Sequence, residues 1–170
     1  DAHLGYRVIR INHLGDWGTQ FGKLIVAYKH WGMESDLTRD PIQTLYELYV
    51  RFHVEVESQP ELEDEARSWF KRLEDGDPEA RGIWQRFREL SLREFQHIYD
   101  RLGISFDSQA GESFYEPFLE QTIERIRQAG LVTVSDQALI VDLRPYNMPP
   151  CLLRKKDEAT LYATRDLAAA

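Results

Sequence analysis

Cysteine is nearly absent. Cys151 is the one thiol in 170 residues, so no disulfide can form within the chain and no cysteine zinc cluster can be built from it alone. Such usage suits a reducing compartment, and a cytoplasmic location is expected. Long apolar runs are missing too. None approaches the length of a membrane span, and Asp1-Ala2-His3-Leu4-Gly5 lacks the basic start and apolar stretch of a secretion signal, so no membrane partner is expected. Positive charge is in deficit, with 21 basic against 29 acidic residues and a formal charge of −8. That balance excludes a surface that grips nucleic acid by bulk charge, while leaving local basic contacts open. Internal repeats and low-complexity tracts are lacking. What is present, 42% hydrophobic and 12% aromatic residues, supports one good core and leaves little room for two.

The β-rich run Tyr6–Ile11, bounded by Gly5 and by Asn12, Gly15 and Asp16, predicts a strand. Asp16 is placed to cap a following helix whose apolar positions Phe21, Leu24, Ile25 and Tyr28 recur at helical spacing, with an end near Trp31-Gly32. Strand, loop and helix make half of a βαβ unit, and ligands in such folds sit at the loop beyond the strand. From Asp40 the chain turns helical and charge-dense. Asp40-Pro41 with Gln43 opens a helix carrying Leu45, Leu48, Tyr49, Phe52 and Val56. A second helix runs from about Pro60 to Glu74, closed by Asp75-Gly76, and Asp77-Pro78 repeats the start signal. Ser91-Leu92-Arg93-Glu94 reads equally as a new capping box or as the middle of one long helix ending at Gly103. Glu116 to Ala129 forms another amphipathic helix before Gly130. Leu131–Ser135 and Ala138–Leu143 form a hairpin across Asp136-Gln137, and Cys151–Arg154 with Thr160–Ala163 a second strand pair. Asp166 to Ala170 turns helical. Asp1–Leu4 followed by Gly5 reads like the last turn of a helix, so the chain is expected to be a piece of a larger protein.

Two constellations could carry chemistry. Asn12-His13-Leu14-Gly15-Asp16-Trp17-Gly18-Thr19-Gln20-Phe21-Gly22 gathers amide, imidazole, carboxylate and hydroxyl groups in a glycine-bearing turn that could approach a ligand or an anion. The same residues serve equally as a helix cap, core aromatics and turn partners. The run lacks the Gly-Lys-Ser/Thr of a P-loop and does not fit the dinucleotide fingerprint. In Tyr162-Ala163-Thr164-Arg165-Asp166, a helical turn would put the phenol and the carboxylate on one face, where a guanidinium or ammonium ligand could be met. On local grounds a carboxylate at a helix N-terminus and a strand aromatic explain them better. His3, His13, His30, His53 and His97 show no metal-ligand spacing, and no bound metal is expected. Trp69, Phe70, Trp84, Phe87, Phe95 and Tyr99 fall on helical stripes that suit a core, and Arg81, Arg86, Arg88 and Arg93 lie among acidic residues as on a solvated face.

The run Arg10 to Gly22 resembles the Asn-His-(Val/Leu/Ile)-Gly-Asp-Trp-Gly-Thr-Gln-Phe-Gly signature of arginyl-tRNA synthetases. Gly111-Glu112-Ser113-Phe114-Tyr115 and Leu161-Tyr162-Ala163-Thr164-Arg165-Asp166-Leu167-Ala168 resemble two further segments of that family, in the same order. The resemblance implies the middle of a class I catalytic domain: an α/β fold in which residues 1–39 and 160–170 belong to a partial Rossmann-type core and 40–159 form a mainly helical insertion with short β-hairpins. It implies that Tyr162 and Asp166 face the arginine substrate, Asp166 reading the guanidinium. Asn12, His13, Gly15, Asp16 and Gln20 would line or shape the pocket. The family's His-x-Gly-His element should precede Asp1, and its Lys-Met-Ser-Lys-Ser-like loop and anticodon-binding domain should follow Ala170. The complete enzyme would use L-arginine, ATP, Mg2+ and tRNA(Arg). This piece alone is expected to be inactive and monomeric, with no tightly bound cofactor. The rival expectation is a synthetase-derived helical binding module without catalysis. A generic nucleotide-binding fold has less support.

Overall fold

Helix-forming stretches dominate the chain, and a computed structural model describes residues 2–156 and 161–170. The chain divides into two compact units, a continuous one over Asp16–Asp107 and a discontinuous one made of Asp1–Gly15 with Ser108–Ala170.

The continuous unit is all helix: α1 (Thr19–Trp31), α2 (Glu34–Arg39), α3 (Pro41–Glu55), α4 (Glu61–Glu74) and α5 (Pro78–Leu102). The two Asp-Pro start signals hold, since the Asp40 carboxylate accepts from the Gln43 N–H and the Asp77 carboxylate from the Ala80 N–H. α5 runs unbroken through Ser91–Glu94 and ends on Gly103, which settles the alternative left open by the sequence. α2 was not expected; too short to show a period, it buries Leu37 alone. The apolar stripes meet as foreseen, with Ile25, Val26 and Ala27 of α1, Leu48 and Phe52 of α3, Leu62, Ala66, Trp69 and Leu73 of α4, and Phe87 and Leu90 of α5 in one core. Each large side chain removed from water there contributes about 1.5–3 kcal/mol. Glu34 ties α2 to two helices, accepting from Arg86 Nη2 and Tyr28 Oη, each at 2.8 Å. The Arg86 bond, followed by that of Tyr28, holds its carboxyl below the ordinary range.

The discontinuous unit holds α6 (Glu112–Tyr115), a 3-10 turn at Glu116–Phe118, α7 (Leu119–Gln128), β1 (Val132–Ser135), β2 (Ala138–Val141), β3 (Cys151–Arg154) and α8 (Tyr162–Ala169). The strands form one antiparallel sheet in the order β1-β2-β3. Asp136 and Gln137 take φ values of 50° and 65°, the double positive of a type I′ turn, and pair Ser135 with Ala138 as the hairpin reading required. Ile140 and Leu153 face inward with Leu119 and Ile123. A buried hydrogen bond from Thr164 Oγ1 to the Leu153 carbonyl, at 2.6 Å, fastens α8 to β3.

Three expectations are corrected. Tyr6–Ile11 is extended but forms no strand. It makes an isolated parallel bridge, Ile11 with Ser108, which is too little for a strand, and Tyr6 and Ile9 stay exposed. The helix expected from Glu116 is in fact α6, a 3-10 turn and α7 in succession, beginning four residues earlier at Glu112. The second strand pair does not form either, because β3 pairs with β2 and Tyr162 opens α8. Thr160, the other end of that expected strand, lies outside the described residues.

Candidate functional site

The helical turn at Tyr162 decides how the second constellation is arranged. With α8 spanning Tyr162–Ala169, residues four apart share a face, and Tyr162 and Asp166 are both exposed while Thr164 and Arg165 turn inward. The Asp166 side chain is 60% exposed, and His13 Nε2 lies 3.9 Å from its Oδ1, too far for a hydrogen bond. The His13 ring tilts against Tyr115 at 5.7 Å between centroids. Tyr115 ends α6, whose first residue, Glu112, donates its N–H to the Leu14 carbonyl at 2.9 Å. The backbone at Asn12 is fixed in the same way, its N–H donating to the Ser108 carbonyl at 2.8 Å. His13, Tyr115 and Asp166 are thus brought together within one unit from three separated stretches of sequence, with Tyr162 one turn from Asp166 on the same helix. Gly15 is exposed beside them in the chain.

Arg165 is the residue that sequence reasoning passed over. Its side chain is 10% exposed, and its guanidinium donates from Nε to Glu112 Oε2 at 3.1 Å and from Nη1 to Glu116 Oε1 at 3.3 Å. Glu112 and Glu116 stand four apart, a spacing that could have been noticed as a pair awaiting a cation.

The later part of the signature run acts differently. Asp16 does not cap α1; that helix begins at Thr19 after Gly18, without a side-chain cap. Its buried carboxylate instead accepts from Arg88 Nε at 2.7 Å, and its carbonyl accepts from Trp84 Nε1 at 2.8 Å. Trp17 is buried, edge-on to Trp84 at 5.5 Å and to Phe70 at 6.0 Å, and among the described residues its own indole N–H finds no hydrogen-bond partner. Gln20 Nε2 donates to the Trp17 carbonyl at 3.0 Å. Gly18 sits at φ 135°, and a Cβ there would meet Gln20 Oε1 at 2.4 Å. Asp16 and Gln20 therefore fasten the entry to α1 within the helical unit, and Arg88 and Arg86 are paired rather than merely solvated.

Among the described residues no three His, Cys, Asp or Glu side chains gather as a metal site. No described helix is long and apolar enough to cross a membrane.

A helical body joined to a small antiparallel sheet, with an acidic and aromatic helix face, agrees with the fold of a class I aminoacyl-tRNA synthetase catalytic segment. The family model described as tRNA synthetases class I (R), catalytic domain, matches residues 2–170, and the chain belongs to that family. It is 59% identical to the arginine–tRNA ligase of Clostridium perfringens over 166 residues, covering 98% of this chain and 29% of that protein. It is 58% identical to that of Pediococcus pentosaceus, covering 98% of this chain and 30% of that one. The crystal structure of the Plasmodium falciparum arginyl-tRNA synthetase superposes with a TM-score of 0.77 at 26% identity, covering 98% of this chain and 28% of that chain. The chain spans about 30% of the length of the curated relatives it matches.

Proposed function

We propose that this chain is the arginine-reading segment of an arginine–tRNA ligase. The whole protein activates L-arginine with ATP and Mg2+ and esterifies it to tRNA(Arg) in the cytoplasm, and the segment alone is monomeric and inactive. The observation that carries the reading is the exposed face of α8, where the Tyr162 phenol and the Asp166 carboxylate stand one turn apart. A carboxylate accepts the planar two-pronged donor set of a guanidinium through parallel hydrogen bonds, and a lysine ammonium cannot reproduce that match. The phenol one turn away can orient the remainder of the ligand by donating or accepting a hydrogen bond. His13 stands beside the carboxylate and, with Asn12 and Gly15, lines the pocket, while Asp16 and Gln20 have the separate task of fastening the entry to α1. In this reading residues 1–39 and 160–170 belong to a Rossmann-type core completed by the rest of the protein, and 40–159 are its helical insertion. ATP and Mg2+ are held by parts of the full-length protein outside this chain.

The test is Asp166→Asn in the full-length protein. Truncating one partner of a hydrogen-bonded charge pair costs about 2–5 kcal/mol, so the KM for arginine should rise about 100-fold, near 3 kcal/mol at 1.4 kcal/mol per tenfold. An unchanged KM would sink the reading and favour a helical binding module indifferent to this carboxylate.

A further inference from the structure

Tyr162 and Asp166 are useful only if α8 presents them at a fixed rotation about its own axis, and α8 is short, at eight residues. Successive helical residues are rotated by about 100°, so locking one neighbour locks the rest. Arg165 is that neighbour. Its guanidinium is almost wholly removed from water and forks across two carboxylates, at 3.1 Å from Glu112 and 3.3 Å from Glu116, whose side chains are 20% and 24% exposed. Turning α8 away would strand a buried cation, which is strongly unfavourable at low effective dielectric.

The same carboxylates belong to the segment that carries Tyr115, the ring on which His13 rests, and His13 in turn stands 3.9 Å from Asp166. The contacts therefore close a circuit: Arg165 to Glu112 and Glu116, Tyr115 to His13, and His13 back to α8. On the opposite side Thr164 is fixed to the Leu153 carbonyl.

We infer that Arg165, clamped by Glu112 and Glu116, is a positioning residue that sets the orientation of Tyr162 and Asp166 for the cationic side chain of the substrate. This rests on the reading of Asp166 given above. Lysine cannot replace it, because a single ammonium is a compact point charge and not a planar fork.

The experiment compares Arg165→Lys, Glu116→Gln and Asp166→Asn in the full-length protein, measuring the Kd for L-arginine by calorimetry, the KM values for arginine and ATP, and the melting temperature. Arg165→Lys and Glu116→Gln should each weaken arginine binding about tenfold while the KM for ATP stays within twofold, and Asp166→Asn should weaken it further. If Arg165→Lys does not melt cooperatively, Glu116→Gln alone decides. Arginine affinity within twofold of the parent in the folded variants, with Asp166→Asn impaired, overturns the positioning role and leaves the Asp166 reading standing. An equal rise in both KM values, the mark of general loosening, overturns it too. If Asp166→Asn binds arginine normally, the underlying reading fails and the inference falls with it.

Discussion

Gly15 and Gly22 belong to one signature run and do different work. A Cβ on Gly22 would meet the Ala66 carbonyl at 2.2 Å and the Phe70 Cβ at 2.9 Å, so this glycine lets α1 lie directly on the backbone of α4. A Cβ on Gly15 would meet nothing within 4 Å. Gly22→Ala should therefore destabilise the protein by about 1–3 kcal/mol through overpacking, whereas Gly15→Ala should fall within about 0.5 kcal/mol of the parent. Urea unfolding of the two variants checks this, and equal midpoints would show that α1 and α4 have room to separate. Asp16 makes a related point. A capping residue and an ion-pair residue look alike in a linear sequence, and the partner that decides between them, Arg88, is 72 residues away.

At the scale of elements, capping chemistry is the part best expressed locally. The Asp77 carboxylate accepts from the Ala80 N–H and from Arg72, in that order of effect, and these hold its carboxyl below the ordinary 3.8. A carboxyl lowered in the folded state contributes stability that is present above the unfolded value and lost as the pH falls through the folded one. The first turn of α5 should therefore keep its amide-exchange protection at neutral pH and lose it only in the acid range below 3.8, with Asp77→Asn losing the pH dependence. Exchange at Ala80 followed by NMR provides the measurement, and a transition near neutrality would contradict it. Asp40, Asp77 and the Asp136-Gln137 turn were legible because their signals lie within four residues. Tyr6–Ile11 was not, because β propensity states that a segment fits a sheet and says nothing about whether a neighbouring strand is present. Tyr162 misled for a similar reason: an aromatic beside Leu161 looks like strand, and the buried tie from Thr164 to Leu153 that supports a helix there is tertiary. Of the candidate site, the Tyr162–Asp166 spacing was readable. The gathering of His13 and Tyr115 around it, and the clamp on Arg165, depend on long-range contacts.

At the scale of the whole molecule, apolar burial is uneven. The buried apolar residues from Trp17 to Leu90 all lie in the continuous helical unit, whereas the discontinuous unit buries only Leu119, Ile123, Ile140 and Leu153 among the described residues and leaves Leu4, Tyr6, Ile9, Phe114, Val134 and Tyr146 exposed. Residues 16–107 expressed alone should thus give a helical circular-dichroism spectrum and one cooperative thermal transition. A broad, non-cooperative melt would show that its helices depend on the remainder of the chain. The exposed residues of the other unit should enhance dye fluorescence when the 170-residue chain is studied by itself.

The lone bridge between Ile11 and Ser108 joins positions almost a hundred residues apart in the chain. Closing so long a flexible loop costs about 4 kcal/mol of entropy, and that cost falls on the rate of forming the discontinuous unit. If α1–α5 condense first, the intervening chain is no longer a flexible loop and the search is shortened. In that case the helices, rich in local contacts, form early, and the face bearing Tyr162 and Asp166 is assembled last.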